Sequence, residues 1–402
     1  MVERKYIVTL AYGALSEAEL ESYFTLSNLN FKVVGKVGRC CILKGENLSS
    51  DFWLGLGGLH KVAEVFAEVK EDEVHKLNLD ELIASAKDKM KWAVSTYSES
   101  EASALKFSED LQGCIKEALK SKGVVKTKLL RGKIHKVDSG WEYEVSSQLI
   151  QGERVVEEGF EAVAVKLKDW LIGKSIAVVD HIGYRERDLG RPVQDPTITM
   201  PPKLARILVN LTACSKGETL LDPFCGLGTI LGEAIIRGLD IVGVDAKSSR
   251  VEGARKNLTW LLKKYGIRSK VELFQGYAEN LSRILKGRLV DGVATEPILL
   301  PPLKHPPTDE EAKRMLERSS RIYCRSLPSI SKHLKPKGRL AIVLPCVKTK
   351  SRRILSFDIS REASKAGLRL YSMDSVKKYP LLVGDPSQMV MRGVYIFEKV
   401  GG

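Results

Sequence analysis

No stretch of about 18 consecutive apolar residues occurs in the 402-residue chain, so no transmembrane helix is expected. The amino terminus, Met1-Val2-Glu3-Arg4-Lys5-Tyr6, lacks the apolar core of a secretory signal, and the chain reads as cytoplasmic. Its seven cysteines are scattered without a Cys-x-x-Cys pair, and no histidine stands at metal-ligand spacing. Neither a zinc site nor a disulfide framework is therefore expected. Internal repeats and low-complexity tracts are missing too, which excludes a solenoid.

What is there is globular in composition, 44% hydrophobic and 28% charged, with length for two or three domains of roughly 100–200 residues. The charge is unevenly spread. Residues 1–200 carry 28 basic and 31 acidic groups, whereas residues 201–402 carry 36 and 19. An excess of that size in one half points to a polyanionic partner such as nucleic acid.

Short apolar runs at 6–10, 31–37 and 40–43 surround a helical stretch at 16–24 whose Ser16-x-x-Glu19 start resembles a capping box. This predicts a small α+β module over residues 1–75. A second α+β module, residues 76–180, is predicted from helical patterns at 79–89 and 105–120 and short strands at 92–97, 124–130, 141–149 and 162–167. Residues 181–202 are polar, carry Gly and Pro and show neither period, so they read as a linker. From 203 to 402 the texture changes to helices alternating with continuous apolar runs at 219–221, 241–244, 271–274, 290–294 and 340–344, the pattern of a doubly wound, mostly parallel sheet.

The sharpest local signal is Asp222-Pro223-Phe224-Cys225-Gly226-Leu227-Gly228-Thr229, between a predicted strand and a predicted helix at 229–237. Glycines in such a turn let a ligand approach the backbone, and the helix that follows presents free N–H groups. About twenty residues on, the run 241–244 ends in Asp245, where a doubly wound fold holds a ribose through its hydroxyls. Together they describe a site for an adenosine-containing cofactor. Gly-Lys-Ser/Thr is missing, which disfavours a nucleoside triphosphate, and so is the Gly-x-Gly-x-x-Gly dinucleotide fingerprint. S-adenosylmethionine remains.

Over nearly its whole length the chain resembles the THUMP-domain tRNA guanine-N2 methyltransferases, in particular the archaeal and eukaryotic branch acting on guanosine-10. The resemblance rests on Tyr184-x-x-Arg187-Asp188-x-Gly190-x-Pro192, on Pro201-Pro202-Lys203-Leu204-Ala205-Arg206 with Val209-Asn210-Leu211, and on the Asp222 to Thr229 turn. It implies a ferredoxin-like domain, a THUMP domain and a Rossmann-like methyltransferase domain in that order. It also implies that Asp222, Pro223, Phe224, Gly226, Gly228 and Thr229 line the methionine side of S-adenosylmethionine, and that Asp245 and Ala246 hold the ribose. Where such proteins place Gly-Asp-Ala against the adenine, this chain has Gly276-Tyr277-Ala278, so Tyr277 and Ala278 take that position.

The resemblance further places an acceptor, two prolines and an aromatic residue at the end of the fourth strand. This chain has Thr295-Glu296-Pro297-Ile298-Leu299 there. Glu296 and the Pro297 carbonyl are the implied catalytic acceptors for the hydrogens of the target amine. No aromatic ring follows them, so base stacking worth roughly 1–3 kcal/mol is missing from this segment.

Basic residues cluster at 116–136, and Lys126, Lys128, Arg131 and Lys133, together with Arg187, are the expected RNA contacts. A second run, 313–339, and a third, 348–353, are expected on the carboxyl-end face of the sheet or near it, positioning phosphates. The reading is a tRNA methyltransferase acting on guanine N2, with tRNA as partner and, by resemblance, a small zinc-binding activator protein. Two alternatives stay open: a non-catalytic tRNA-binding homologue, and a methyltransferase for another exocyclic amine such as adenine N6.

Overall fold

The computed structural model describes residues 3–137, 140–195, 200–385 and 387–401. The chain divides into two compact units, one of residues 1–13 and 28–183, the other of residues 14–27 and 184–402.

In the first unit, strands β1 (Arg4–Leu10), β2 (Lys32–Val37), β3 (Cys40–Gly45), β4 (Leu59–Val69), β5 (Lys91–Ser98), β6 (Lys128–Leu130), β7 (Lys133–Val137), β8 (Gly140–Glu144), β9 (Phe160–Lys166) and β10 (Trp170–Val178) form one sheet. Its order is β2-β3-β1-β4-β10-β9-β5-β8-β7, with β6 beside β5. Residues 1–75 and 76–180, expected as two modules, thus contribute to a single sheet. Helix Glu101–Ser121 lays Phe107, Leu111 and Ile115 against Trp92, Phe160 and Trp170. Three local expectations differ from the structure. Residues 79–89 are turns, because Leu79, Leu82 and Ile83 are spaced by insertion into that core and not by a helix. The strand expected over 124–130 is confined to β6. The strand expected over 141–149 stops at Glu144, after which the Ser146 hydroxyl accepts from the Leu149 N–H and caps helix Ser147–Gly152.

The second unit carries β11 (Thr219–Asp222), β12 (Asp240–Asp245), β13 (Val271–Gln275), β14 (Val290–Thr295), β15 (Leu334–Lys348), β16 (Ile354–Ser356), β17 (Leu368–Leu370), β18 (Leu381–Val383) and β19 (Val390–Lys399). The order β13-β12-β11-β14-β15-β19-β17 has parallel pairs through β15 and an antiparallel β19. The five strands read from continuous apolar runs are β11 to β15; β11, β12 and β14 are buried as such strands are when helices cover both faces, while β13, at the sheet edge, buries only Leu273.

The helix expected at 16–24 runs from Ala14 to Leu26 and belongs to this second unit. Ser16 and Glu19 are buried inside it and do not cap it; Glu19 accepts from Asn210 Nδ2 at 2.6 Å. The expected linker begins as helix His181–Leu189, and residues 196–199 of it lie outside the described residues.

Candidate active site

Parallel pairing brings the carboxyl ends of β12, β11 and β14 to one edge of the sheet. The chain leaves β11 for β12 on one side and reaches β14 on the other, the arrangement that opens a ligand crevice. Asp222, Asp245 and the Thr295-Glu296 pair stand at those three ends.

Asp222 is 1% exposed. Its Oδ1 accepts from the Thr295 hydroxyl at 2.7 Å and from the Phe224 N–H at 3.1 Å. Burial pushes its carboxyl up to about 7, the two hydrogen bonds pull the other way, and the charges of Asp245 and Glu296 add to the rise. Asp245 closes the turn from the neighbouring strand, its Oδ2 accepting from the Gly226 N–H at 3.0 Å and its Oδ1 from the Lys247 N–H at 2.9 Å.

The two glycines serve different ends. Both are left-handed, with φ of +52° at Gly226 and +83° at Gly228. A Cβ on Gly226 would meet nothing within 4 Å, whereas one on Gly228 would touch Ala254 and Leu258 of helix Ser248–Tyr265 at 3.4 Å. Only the first opens on free space; the second lets two helices approach. Pro223 is buried and Phe224 half-buried. Thr229 begins helix Thr229–Ile236, and its hydroxyl accepts from Arg191 Nη1 at 2.7 Å. At the ends of β12 and β13, Ala246 is exposed, Ala278 is buried and Tyr277 is 62% exposed, its ring outside the core.

The segment after β14 holds a contact that no local motif announces. Glu296 Oε1 accepts from Arg392 Nε at 2.6 Å and its Oε2 from Arg392 Nη2 at 3.4 Å. Arg392 lies on β19, opposite Pro345 of β15. Pro297 is buried, and Ile298, where an aromatic residue was expected, is 62% exposed. The Ile298 carbonyl accepts from the Tyr323 hydroxyl at 2.7 Å, and Leu300 and Leu303 pack on Ala312, Leu316 and Val347. Tyr323 and these apolar contacts anchor the loop from below. Thr295, Tyr323 and Arg392 escaped the sequence reading: Thr295 could have been suspected beside Glu296, the other two had no signal.

One expected RNA contact is overturned. Arg187 is buried, its Nε donating to Glu233 Oε1 at 2.6 Å, while Arg206 donates to Glu233 Oε2 at 2.9 and 2.6 Å. The two motifs at 184–192 and 201–206 thus meet on one buried carboxylate, and Arg187 also stacks on Tyr184 at 4.5 Å. A buried guanidinium already paired in this way is part of the core. Lys126, Lys128, Arg131 and Lys133 are all exposed on the first unit. The second basic run divides. Lys332, Lys335, Lys337 and Arg339 lie toward the amino end of the parallel strands and not at their carboxyl face, since Leu334 pairs with Val290. Lys335 is paired with Asp291, and Arg339 is buried against Tyr371. Among the described residues, no group of three or more His, Cys, Asp or Glu side chains could hold a metal ion, and no helix is long and apolar enough to cross a membrane.

Residues 190–366 match the family model described as UPF0020: RMKL-like, methyltransferase domain. A stretch of 177 residues, 44% of this chain, is 33% identical to the tRNA (guanine(10)-N2)-dimethyltransferase of Methanothermobacter thermautotrophicus, covering 47% of that protein. Over 155 residues, 39% of this chain, it is 34% identical to the protein of the same name from Pyrococcus abyssi, covering 41% of it. The chain thus matches about half the length of these relatives. In fold it is similar to the crystal structure of TrmN from Thermus thermophilus, with a TM-score of 0.57 at 16% identity over 98% of this chain and 100% of the other.

Proposed function

We propose, from the match of residues 190–366 to a methyltransferase family model, that the whole chain is a cytoplasmic tRNA methyltransferase that uses S-adenosylmethionine to methylate a guanine exocyclic N2. Position 10 is the target carried by the relatives' names. The observation that carries the reading is the convergence of Asp222, Asp245 and Glu296 at the carboxyl ends of three neighbouring strands, beside a turn whose Gly226 opens on free space.

The residues fit a cationic adenosine cofactor. A carboxyl that burial holds near neutrality is one that a sulfonium and an ammonium would help to ionise. Bound there, the cofactor supplies an electrophilic methyl group. Asp245 has about two acceptor positions left beyond the Gly226 and Lys247 N–H groups, the number that a pair of ribose hydroxyls needs.

Guanine N2 is a weak nucleophile because its lone pair is delocalised into the ring. Acceptors that hold its two hydrogens favour a pyramidal nitrogen with the lone pair free, and in this reading Glu296 and the Pro297 carbonyl act as those acceptors. Arg392 takes one position on each Glu296 oxygen and fixes the longer side chain, leaving the others for the amine. An N2 inside a tRNA helix is reached by turning the nucleotide out of its stack.

A second reading, a homologue that binds tRNA and cofactor without turnover, draws on the same Glu296–Arg392 pair and on Ile298 where a ring would stack. Incubation with unmodified tRNA transcripts and labelled S-adenosylmethionine, followed by nucleoside analysis, separates the two. N2-methylguanosine that disappears in Glu296→Ala is the expected result. N6-methyladenosine would reassign the target amine. Cofactor binding without transfer, with and without a small zinc-binding activator protein, would establish the second reading.

A further inference from the structure

We propose that the outer face of helix Asp309–His333 is a docking surface for an RNA phosphodiester backbone, formed by Arg314, Arg318, Arg321 and Arg325. Spacings of four, three and four residues place these side chains in one stripe about 60° wide and about 16 Å long. All four are exposed. The direction of the stripe is fixed by the core, because the opposite face of the helix buries Ala312, Leu316, Tyr323, Leu327 and Ile330.

A basic helix face is ordinarily a solvated one, laced with carboxylates at i±4. Here Glu310 and Glu317 stand four residues before Arg314 and Arg321, yet among the described residues neither forms an ion pair with them, and Arg318 and Arg325 have no carboxylate at i±3 or i±4. The acidic residues of the helix are Asp309, Glu310, Glu311, which completes a capping box with Thr308, and Glu317, and from residue 318 to its end it contains no Asp or Glu. Among the described residues, no carboxylate stands within 4.0 Å of any of the four guanidinium groups, although Lys335, Arg353 and Arg369 of the same unit each have such a partner. Like charges at i,i+4 cost helix stability, a cost that a polyanion along the stripe removes. Guanidinium forks match phosphate oxygens in pairs, which lysines do not.

The stripe is also registered to the candidate active site. Tyr323, on the buried side of this helix, holds the Ile298 carbonyl two residues after Glu296. Beyond the helix amino terminus lie the exposed Lys350 and Arg352, the Lys350 N–H donating to the Pro307 carbonyl at 2.8 Å. A strand of RNA following the stripe would be delivered to the carboxyl edge where Glu296 lies.

The inference rests on the proposed function in taking RNA as the polyanion, but it is tested by binding, without methyl transfer. Affinity of the full chain for an unmodified tRNA transcript is measured across a salt series. The variants are R314Q/R318Q/R321Q/R325Q and a charge-matched control on the same unit, K256Q/K263Q/R268Q/R283Q. Each phosphate contact contributes about 0.7–0.9 to the slope of log affinity against log salt. The stripe variant is expected to lower that slope by about 2 to 4, and its affinity near 150 mM salt tenfold or more, with cofactor affinity unchanged and melting temperature not lowered. The control is expected to change the slope by less than about 1. A stripe variant with the wild-type slope, or a control that loses as much, overturns the docking surface. If the wild-type chain binds tRNA through the stripe and transfers no methyl group, the surface stands and the enzymatic reading fails; if it does not bind tRNA, both fail.

Discussion

Glu296 and Arg392 stand 96 residues apart in the chain and form a two-point ion pair across β15, with Nε to Oε1 at 2.6 Å. The pair sits at the edge where the proposed function has the target amine held, so on that reading loss of either partner disturbs the same function. Glu296→Gln and Arg392→Gln are each expected to lower the rate of methyl transfer at saturating tRNA on the order of tenfold or more, with cofactor affinity little changed. Because the two act as a unit, the double variant should be no slower than the slower single one by more than about twofold. Single-turnover rates check this, and additive losses would separate Arg392 from Glu296. Arg392→Lys keeps the charge but not the fork and should recover only part of the rate.

Asp222 makes the candidate site sensitive to pH. Its carboxyl, near 3.8 in an unfolded chain, is pushed up to about 7 by burial in the folded one. The folded state therefore keeps a proton that the unfolded state loses, and this contribution to stability is present below pH about 4 and lost as pH rises through about 7. Asp222→Asn should remove that slope, so that thermal melts of variant and wild type differ at pH 8 more than at pH 4. A cationic cofactor favours the ionised form. Its affinity for the wild type should rise by up to about tenfold per pH unit below 7 and level off above, with a flat profile in Asp222→Asn. The same slope in both proteins would remove Asp222 from the cofactor site.

The parallel core and the turn at 222–229 were legible because their signals are local. Buried strands read as unbroken apolar runs, and left-handed turns at a strand–helix junction ask for glycine. What escaped was set by partners far along the chain. Arg187 looked like a free cation among polar residues, and its meaning came from Glu233, 46 residues away. Arg392 carries no motif, since only the antiparallel register of β19 on β15 brings it to Glu296. The leucines at 79 and 82 have helix-like spacing, yet they fill the core around Trp92 from a run of turns.

The two glycines of the turn should separate under substitution. An alanine at either φ costs about 1 kcal/mol or somewhat more in a left-handed conformation, so both variants are expected to fold with melting temperatures a few degrees lower. At Gly226 the new methyl group would project into open space beside Asp222 and Asp245, and cofactor affinity should fall tenfold or more. At Gly228 it would rest on Ala254 and Leu258, and affinity should stay within about threefold of wild type. Calorimetric titration with S-adenosylmethionine reads the difference. Equal losses at the two positions would mean that the turn acts only through its backbone shape.

Helix Ala14–Leu26 belongs to the carboxyl-terminal unit although it lies some 160 residues ahead of the rest of it. Leu15, Ala18, Leu20, Tyr23 and Phe24 are buried there. Polar contacts reinforce the seat: the Ser22 hydroxyl donates to the Asn210 carbonyl at 2.9 Å and accepts from Arg339 at 3.1 Å. Arg237 donates to the Tyr23 hydroxyl, and the Glu21 carboxylate accepts from the backbone of Asp374 and Ser375. With each hydrogen bond worth about 1 kcal/mol and each buried large side chain about 2 kcal/mol, removing the helix outweighs the usual margin of domain stability. A fragment of residues 184–402 is therefore expected to be unfolded or to melt far below the full chain. The same fragment joined through a flexible linker to residues 14–27 should recover a cooperative transition and cofactor binding. Equal melting of the two fragments would show that the helix is seated on the unit without supporting it.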